Sequence, residues 1–185
     1  MIITWKNLEH KWRRQLLSNA YGNVLEISTG MGENFKYYPL TVKLTATDTS
    51  RRLINVAKAE AVKSGVNAEF IVSPIEDLNF EEHRFDTIVS TFSINVYENP
   101  VWVLKKLSTW CKPGGLVLIL ERGMSNYGPV RMIQQKWDSR FHKTSGSHIN
   151  RDIKAMILDA GLTIQKMERK IAGVVYMVCA SPAIQ

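Results

Sequence analysis

The stretch Asn23-Val-Leu-Glu-Ile-Ser-Thr-Gly-Met-Gly-Glu33 joins a short apolar run to a turn that contains two glycines. Such an apolar run is typical of a parallel strand that is buried on both faces. Gly30 and Gly32 have no Cβ atom, so the backbone N–H groups of this turn can approach a ligand closely. A helix that begins after the turn would add the positive end of its dipole. The stretch therefore predicts a strand, a ligand-binding turn and a helix; we call residues 28–33 the glycine turn.

The spacing of these glycines excludes two common nucleotide-binding patterns. A dinucleotide-binding turn has the pattern G-x-G-x-x-G, whereas Gly30-Met-Gly32 is followed by Glu33-Asn-Phe35 and no third glycine. A phosphate-binding P-loop needs Gly-Lys-Ser or Gly-Lys-Thr, and neither triplet follows the turn. The glycine spacing therefore indicates a ligand other than a dinucleotide or a P-loop-bound phosphate.

The chain length and the order of its apolar runs predict one α/β domain. With 185 residues, 45% of them hydrophobic, the chain can bury one sizeable core. Apolar, β-branched runs alternate with segments of helical character, which predicts a parallel sheet with right-handed crossovers. Ligands of such sheets bind at the C-terminal ends of the strands. The expected strands cover residues 24–27, 42–47, 68–72, 84–90 and 116–120, and the expected helices cover residues 50–63 and 99–111.

The final third of the chain predicts two further helices and a hairpin. Residues 127–141 are expected to form a helix with Met132, Ile133 and Trp137 facing the core. The remaining expected elements are a helix over residues 150–160 and an antiparallel hairpin at the sheet edge, with strands over residues 162–170 and 172–180.

Residues 1–21 carry apolar side chains three to four positions apart among basic residues, which predicts an amphipathic helix. Three interpretations stay open for this helix: it lies on a membrane surface, it closes over a bound cofactor, or it packs on the core. Its apolar positions are Trp5, Leu8, Trp12, Leu16 and Leu17.

The charge balance and the cysteines limit the partners and the compartment. The chain has 24 basic and 17 acidic residues, a formal net charge of +7. This balance permits an anionic partner such as a lipid surface or a nucleic acid, but the charges are dispersed and favour an ordinary solvated surface. Cys111 and Cys179 predict neither a metal site nor a disulfide framework, which indicates a reducing compartment. We expect a cytoplasmic protein, or an organellar matrix protein in a eukaryote, without a transmembrane segment or a secretory signal.

Two motifs resemble those of the class I S-adenosylmethionine-dependent methyltransferases. Residues 26–32 resemble the E/D-x-G-x-G-x-G turn of that family, with Glu26 as the acid and Ser28 in place of the usual first glycine. Residues 106–117 resemble the L-K-P-G-G-x-L segment that precedes the fifth strand. The resemblance covers nearly the whole chain. It implies a three-layer Rossmann-like α/β sandwich, with a mostly parallel seven-stranded sheet and an antiparallel C-terminal hairpin.

The resemblance also implies a binding site for S-adenosylmethionine. Asp48 ends the second expected strand, where a carboxylate can accept hydrogen bonds from both ribose hydroxyls. Residues 72–78 resemble the family's G-D-A-E-D-L adenine segment, but Pro74 replaces its aspartate, which leaves the neighbouring acids or a backbone N–H to contact the adenine. Residues 90–95 resemble the motif that faces the methionine part of the cofactor and the acceptor. The implied cofactor-binding residues are Glu26, Ser28, Gly30, Gly32, Asp48, Thr49, Ile75, Glu76 and Thr91, and the acceptor-side residues are Phe92, Asn95 and Tyr97.

The implied reaction is in-line displacement of the methyl group, with S-adenosyl-L-homocysteine as the product. A sulfonium is already a strong methyl donor, so the protein mainly aligns the acceptor and excludes water. A base is needed only for an acceptor that arrives protonated. His148 is the candidate for this base or for acceptor orientation, and an ordinary surface or helix-capping histidine is the alternative. The implied acceptor is a small or lipid-like molecule: a thiol, an amine or a quinone-type carbon.

Within the superfamily the chain resembles the type 11 group, and above all its small alkyl-thiol methyltransferases and their bacterial and mitochondrial relatives. Four segments carry this resemblance: residues 34–39, 72–77, 132–137 and 146–152. Quinone C-methyltransferases and bacterial phosphatidylethanolamine N-methyltransferases share the core motifs, less closely in the C-terminal third. The resemblance implies a single domain in which residues 1–21 form a helical lid, residues 22–122 the cofactor-binding core, and residues 123–185 the substrate-side helices and terminal hairpin.

Two alternative functions stay open. Ser28 and Pro74 depart from the family pattern, which suggests a degenerate member that keeps the fold as a binding or assembly factor. The positive charge suggests an RNA methyltransferase. The Asn/Asp-Pro-Pro-Tyr/Phe motif of the base N-methyltransferases does not follow the fourth strand, however, so a nucleic-acid partner is not favoured.

Overall fold

The computed structural model describes residues 4–183 of the chain. In this part the strands are β1 (Asn23–Glu26), β2 (Lys43–Asp48), β3 (Asn67–Val72), β4 (Phe85–Thr91), β5 (Cys111–Arg122), β6 (Leu162–Lys170) and β7 (Val175–Pro182). The α-helices are α1 (Trp5–Leu17), α2 (Arg51–Ser64), α3 (Pro100–Trp110), α4 (Gly128–Ser145) and α5 (Ile153–Asp159). These strands form one sheet with the order β3-β2-β1-β4-β5-β7-β6, in which β7 alone runs antiparallel to its neighbours. The mostly parallel seven-stranded sheet and the antiparallel C-terminal hairpin are therefore confirmed.

Two apolar cores, one on each face of the sheet, hold three layers together. Successive side chains of a strand point to opposite faces. Val24 of β1 accordingly contributes to the core that α1 and α2 cover, and Leu25 to the core that α3 and α5 cover. Both side chains are fully buried. This arrangement is typical of a parallel sheet with helices on both faces.

Ser50 and Gly65 are capping residues that fix the two ends of α2. The hydroxyl of Ser50 accepts a hydrogen bond from the backbone N–H of Leu53, and Gly65 ends the helix with a φ of 68°. Because Ser50 follows the last residue of β2 by two positions, the cap also fixes the C-terminal end of that strand. Asp48 is therefore held at the junction of β2 and α2.

The segment after β1 differs from the expectation. In the described chain no α-helix lies between the glycine turn and β2, and a three-residue 3-10 helix, Phe35–Tyr37, connects them. Pro39 explains this difference, because proline disfavours helical backbone at the preceding residue, and Tyr38 is extended with a ψ of 144°. The α-helix dipole expected beside the turn is therefore missing from this part of the chain.

The orientation of α4 also differs from the expectation. Its two buried side chains are the polar Gln134 and Asp138, whereas Met132, Ile133 and Trp137 are exposed. The prediction that these three apolar residues face the core is wrong. The physical reason is that the polar pair makes buried hydrogen bonds to the backbone of neighbouring loops.

Candidate functional site

Backbone hydrogen bonds tie the glycine turn to the strands on either side of β1. The N–H of Ile27 donates to the carbonyl of Val89 in β4, and the N–H of Thr29 donates to the carbonyl of Thr47 in β2 at 2.9 Å. The turn therefore starts at the C-terminal edge of the sheet, between the ends of β2 and β4. Ligands of parallel sheets bind at this edge.

The two glycines of the turn have different structural roles. Gly30 has a φ of 60°, and a Cβ atom built there would meet nothing within 4 Å, so its backbone borders open space. A Cβ atom at Gly32 would lie 2.7 Å from the ring of Phe35. Gly32 is therefore required by the packing of Phe35, whereas Gly30 is the residue that a ligand can approach.

Asp48 lies directly beside the glycine turn. Its Oδ2 accepts a hydrogen bond of 2.9 Å from the N–H of Gly30, and its Oδ1 accepts one of 2.9 Å from the N–H of Ser50. A carboxylate offers about four acceptor positions, so each oxygen keeps a free lone pair. The next residue, Thr49, is exposed at the same edge. The structure thus brings the carboxylate and the open backbone of Gly30 together.

Ser28 and Tyr97 connect the turn to the loop after β4. Their hydroxyl groups are 2.7 Å apart, and Ser28 adopts a φ of 49°, a left-handed conformation that a glycine would adopt with less strain. Burial raises the pKa of Tyr97, the hydrogen bond to Ser28 opposes this rise, and the carboxylates of Glu76 and Asp48 add to it. The hydroxyl contact therefore brings two predicted residues, one of the glycine turn and one of the loop after β4, together.

Glu26 lies beneath the turn and fastens it from within. Its buried carboxylate accepts hydrogen bonds from Thr29 Oγ1 at 3.0 Å, Asn34 Nδ2 at 3.0 Å and the hydroxyl of Tyr38 at 2.6 Å. Burial raises the pKa of Glu26, and these hydrogen bonds act in the opposite direction. The observed role of this carboxylate is to shape the turn, while its contact with a cofactor stays a prediction.

Arg13 joins α1 to the site. Its guanidinium donates hydrogen bonds to Asn34 Oδ1 at 2.7 Å, Thr91 Oγ1 at 2.8 Å and Glu33 Oε2 at 3.1 Å. The same group lies 5.3 Å from the centroid of the Phe92 ring. Arg13 is only 7% exposed, although it belongs to a basic amphipathic helix. Helix α1 therefore covers the glycine turn and the end of β4 through one buried cation.

Phe92 marks the point where the chain leaves β4. It adopts a φ of 53°, and its N–H donates to the carbonyl of Leu120 at 2.7 Å. The guanidinium groups of Arg13 and Arg122 each lie 5.3 Å from the centroid of its ring. The ring therefore contacts α1 and the end of β5.

A buried carboxylate holds the loop between β4 and α3. Glu121 of β5 is 2% exposed and accepts hydrogen bonds from the N–H of Asn95 at 3.3 Å and the N–H of Arg122 at 2.8 Å. Burial raises the pKa of Glu121 to about 7, against the effect of these hydrogen bonds. The buried side chain of Asn95 donates through Nδ2 to the carbonyl of Arg122, and its Oδ1 has no partner. Asn95 therefore keeps an unused acceptor atom in this loop.

His148 forms a dyad with a buried carboxylate of α4. Nδ1 of His148 lies 2.7 Å from Oδ2 of Asp138, whose Oδ1 accepts a hydrogen bond of 2.7 Å from the N–H of Ile149. The ring of His142 stacks on that of His148 with centroids 4.1 Å apart. If Nδ1–H donates to the carboxylate, Nε2 of the neutral ring can accept a proton. The N–H of His148 donates to the carbonyl of Asn95 at 3.4 Å, which attaches the dyad to the predicted acceptor side.

The predicted adenine segment forms a turn after β3. The side chain of Ile75 is buried in the core, and the side chain of Glu76 is exposed. Lys106 Nζ donates to the carbonyls of both residues at 2.9 Å. A contact between Ile75 and an adenine would therefore use its backbone.

The candidate site is identified by its polar contacts and does not coincide with either of two clefts elsewhere on the sheet. A cleft of about 750 Å³ and another of about 280 Å³ both open at the opposite edge of the sheet, where the parallel strands begin. The first cleft is lined by residues such as Thr109, Pro113 and Gly161, and the second by Asn23, Lys43 and Asn67. The predicted site residues do not line either cleft.

Three residues of this site, Arg13, Asn34 and Glu121, were not predicted from the sequence. Glu121 follows the apolar run of residues 116–120 directly, which is the kind of position by which Asp48 was recognised, so that signal could have found it. Arg13 and Asn34 have no such signal, because their roles arise from contacts between α1, the glycine turn and β4.

Residues 25–119 match the family model of the methyltransferase domain. This chain belongs to that methyltransferase family. The matched residues contain the glycine turn, Asp48 and the loop after β4. The assignment to the class I S-adenosylmethionine-dependent methyltransferases, made from the motifs, is thereby confirmed, and the protein is classed with these enzymes.

Three relatives align with a large part of this methyltransferase. The mitochondrial methyltransferase OMS1 of Saccharomyces cerevisiae is 26% identical over 189 residues, which cover 92% of this chain and 40% of that protein. The phosphatidylethanolamine N-methyltransferase of Cereibacter sphaeroides is 27% identical over 145 residues, 77% of this chain and 71% of that protein. The ubiquinone/menaquinone biosynthesis C-methyltransferase UbiE of Bdellovibrio bacteriovorus is 29% identical over 126 residues, 64% of this chain and 54% of that protein. The chain thus spans between 40% and 71% of the length of these relatives.

Two solved structures share the fold. A structure from Bacillus halodurans C-125 superposes with a TM-score of 0.75 at 14% identity and covers 94% of this chain and 98% of that one. An S-adenosylmethionine-dependent methyltransferase from Aquifex aeolicus superposes with a TM-score of 0.62 at 18% identity and covers 95% of this chain and 87% of that one. The Rossmann-like sandwich is therefore confirmed.

Proposed function

We propose that this site binds S-adenosylmethionine and that the protein transfers its methyl group to a small or lipid-like acceptor. The observation that carries the proposal is the contact of 2.9 Å between the carboxylate of Asp48 and the N–H of Gly30. A nucleoside that bears a charged tail needs an acceptor for its ribose hydroxyls and an open backbone for its tail on the same side of the sheet. Asp48 and Gly30 supply this pair.

The residues present fit the cofactor. Asp48 has free lone pairs for the ribose hydroxyls. The open space over Gly30 suits the amino-acid tail, and the backbone at Ile75 and Glu76 would border the adenine. When bound, the cofactor supplies an electrophilic methyl group on a positively charged sulfur. In this proposal Ser28, Gly32, Thr49 and Thr91 complete the surroundings of the cofactor, and Glu26 acts through the turn.

Helix α1 is the lid in this proposal. Arg13 bonds Asn34 beside the glycine turn and Thr91 at the end of β4, so one side chain connects both sides of the site. A lid of this kind excludes water and keeps the acceptor aligned. We propose residues 1–21 as the lid, residues 22–122 as the cofactor-binding core and residues 123–185 as the acceptor side with the terminal hairpin; residues 1–3 and 184–185 of these ranges lie outside the described residues.

The names of the relatives support a lipid-like acceptor. One relative is named for phosphatidylethanolamine and another for ubiquinone and menaquinone biosynthesis. We therefore propose a lipid amine or a quinone-type carbon as the preferred methyl acceptor, and rank a thiol below both. Phe92, Asn95 and Tyr97 would line the acceptor side. His148, oriented by Asp138, would remove the proton from an acceptor that arrives protonated.

Most of the apolar stripe of α1 packs on the core. Trp12, Leu16 and Leu17 are buried against the sheet, whereas Trp5 is 40% exposed, so membrane contact through this helix stays a proposal. Among residues 4–183 there is no helix long and apolar enough to cross a bilayer. A cytoplasmic or organellar matrix location, and a role without nucleic acid, remain proposals.

Two measurements test the proposed function. Calorimetric titration with S-adenosylmethionine should give saturable heat. Release of S-adenosylhomocysteine should then follow with one of three acceptors: phosphatidylethanolamine in vesicles, an unmethylated quinol, or an alkyl thiol. Absence of cofactor binding would refute the proposal. Binding without turnover on any of these acceptors would favour a degenerate member that acts as a binding or assembly factor.

A further inference from the structure

Helix α4 buries polar side chains on its inner face and exposes large apolar side chains on its outer face, the reverse of a helix that packs on a core. Of its 18 residues, Gln134 and Asp138 are the buried ones. Met132 is 70% exposed, Ile133 60% and Trp137 48%. Large apolar side chains exposed together on one helix indicate a surface that meets a partner.

The buried polar pair fixes this orientation. Gln134 Nε2 donates to the carbonyls of Gly123 at 2.9 Å and Ile149 at 2.8 Å, and its Oε1 accepts from the N–H of Ser125 at 2.8 Å. Asp138 accepts the hydrogen bonds described above. A rotation of α4 that buried its apolar residues would leave these polar groups unpaired, which is costly in the interior. The apolar face therefore stays outside.

Cations border the apolar residues on the outer face. At about 100° per residue, Ile133 and Trp137 form one stripe, and Lys136 and Arg140 lie next to it. The guanidinium of Arg140 lies 5.6 Å from the centroid of the Trp137 ring. Asp138, which points inward, is the one acidic residue of the helix. The outer face thus combines apolar and positively charged groups and has no negative charge.

We propose that the outer face of α4 docks on an anionic lipid bilayer. Tryptophan and aliphatic side chains suit the boundary between headgroups and acyl chains, and the flanking cations meet anionic headgroups. Charge complementarity selects this partner over a second copy of the chain, because a two-fold contact through α4 would bring Lys136 and Arg140 of both copies together. A nucleic acid would match the cations but would leave Ile133 against phosphates.

The docking surface and the acceptor side are linked through α4. Asp138 on the inner face contacts His148, whose N–H bonds the carbonyl of Asn95. A helix is about 10 Å across, so docking through α4 would hold these residues close to the bilayer. This consequence for a lipid-like acceptor rests on the proposed function, whereas docking itself does not.

Co-sedimentation of the full chain with sucrose-loaded vesicles, without cofactor, tests the docking. One vesicle type contains equal amounts of phosphatidylcholine and phosphatidylglycerol, and the other contains phosphatidylcholine alone. Two variants change α4: Ile133→Ser with Trp137→Ser, and Lys136→Ala with Arg140→Ala. Their matched controls change exposed residues of α2: Val62→Ser, and Lys58→Ala with Lys63→Ala.

The wild type should bind the anionic vesicles and bind the zwitterionic vesicles at least about 10-fold more weakly. Both α4 variants should bind the anionic vesicles about 10- to 100-fold more weakly than the wild type, and both α2 controls should match it. Asp48→Ala, which affects the cofactor site, should bind vesicles like the wild type. A failure of docking and a failure of methyl transfer therefore give different results.

Three outcomes would overturn the docking proposal. The first is no vesicle binding by the wild type, or equal binding by the wild type and both α4 variants. The second is a dimer in sedimentation equilibrium that Ile133→Ser with Trp137→Ser abolishes while vesicle binding is unchanged, which would assign the face to self-association. The third is RNA binding that Lys136→Ala with Arg140→Ala abolishes while vesicle binding is unchanged.

Discussion

The N–H of Gly30 donates a hydrogen bond of 2.9 Å to the carboxylate of Asp48, although one residue follows β1 and the other ends β2. The contact arises because these strands are parallel neighbours, with Glu26 opposite Ala46, so their C-terminal ends meet at one edge. The carboxylate therefore has two tasks: it holds the glycine turn, and it presents its remaining lone pairs to a ligand.

Asp48→Asn should weaken binding of S-adenosylmethionine about 10- to 100-fold. The substitution removes the charge from the hydrogen bonds to the ribose, and a hydrogen bond to a charged group contributes about 1.5–3 kcal/mol. Calorimetric titration measures the effect. Asp159→Asn is the control, because Asp159 is an exposed acid at the end of α5, away from the proposed site. Equal affinity of Asp48→Asn and the wild type would refute the proposed ribose contact.

The strands of the parallel sheet and the place of Asp48 could be predicted because both depend on local patterns. An apolar run marks a buried strand, and an acid at its end marks the ligand edge. Ser50 and Gly65 likewise mark the ends of α2 through their own backbone chemistry. Features of this kind need only a few consecutive residues.

The orientation of α4 and the role of Arg13 could not be predicted in this way. Periodicity shows which residues share a helix face, but the inward face of α4 is decided by partners of Gln134 elsewhere in the chain. Arg13 bonds two residues that are distant in the sequence: Asn34 is 21 positions away from it and Thr91 is 78 positions away. Such contacts exist only once the sheet has brought these segments together.

Ser28→Gly should be more stable than Ser28→Ala by about 1 kcal/mol. Both variants lose the hydrogen bond to Tyr97, but only glycine adopts the φ of 49° without a Cβ penalty. Urea unfolding of the two variants gives the difference, and each variant serves as the control for the other. Equal stability of the two would show that the left-handed backbone at this position carries no measurable strain.

Glu121 should make the free energy of unfolding depend on pH. Its pKa is about 7 in the folded protein, against an ordinary value of 4.5, so the folded state binds more protons between these values. The stability that Glu121 contributes is therefore complete below pH 4.5 and is lost as the pH rises through about 7. The loss is on the order of 3 kcal/mol.

Glu121→Gln is the matched variant for this experiment, because its side chain has the same size and does not titrate. Urea unfolding of both proteins between about pH 5 and about pH 8 compares the slopes, and the other titrating groups cancel in the difference. Relative to the variant, the wild type should lose stability as the pH rises. Parallel curves would show that Glu121 titrates normally in the folded protein.

Arg13→Met should loosen α1. The substitution keeps an apolar stem of similar length but removes the donors to Asn34 and Thr91, which leaves two polar side chains without their cation. Amide hydrogens of α1 should exchange about 10- to 100-fold faster, because opening of the helix no longer breaks these charged hydrogen bonds. Lys11→Met is the control, since Lys11 lies on the exposed side of the same helix. If both variants exchange like the wild type, the apolar contacts of Trp12 and Leu17 hold α1 by themselves, and Arg13 does not fasten the lid.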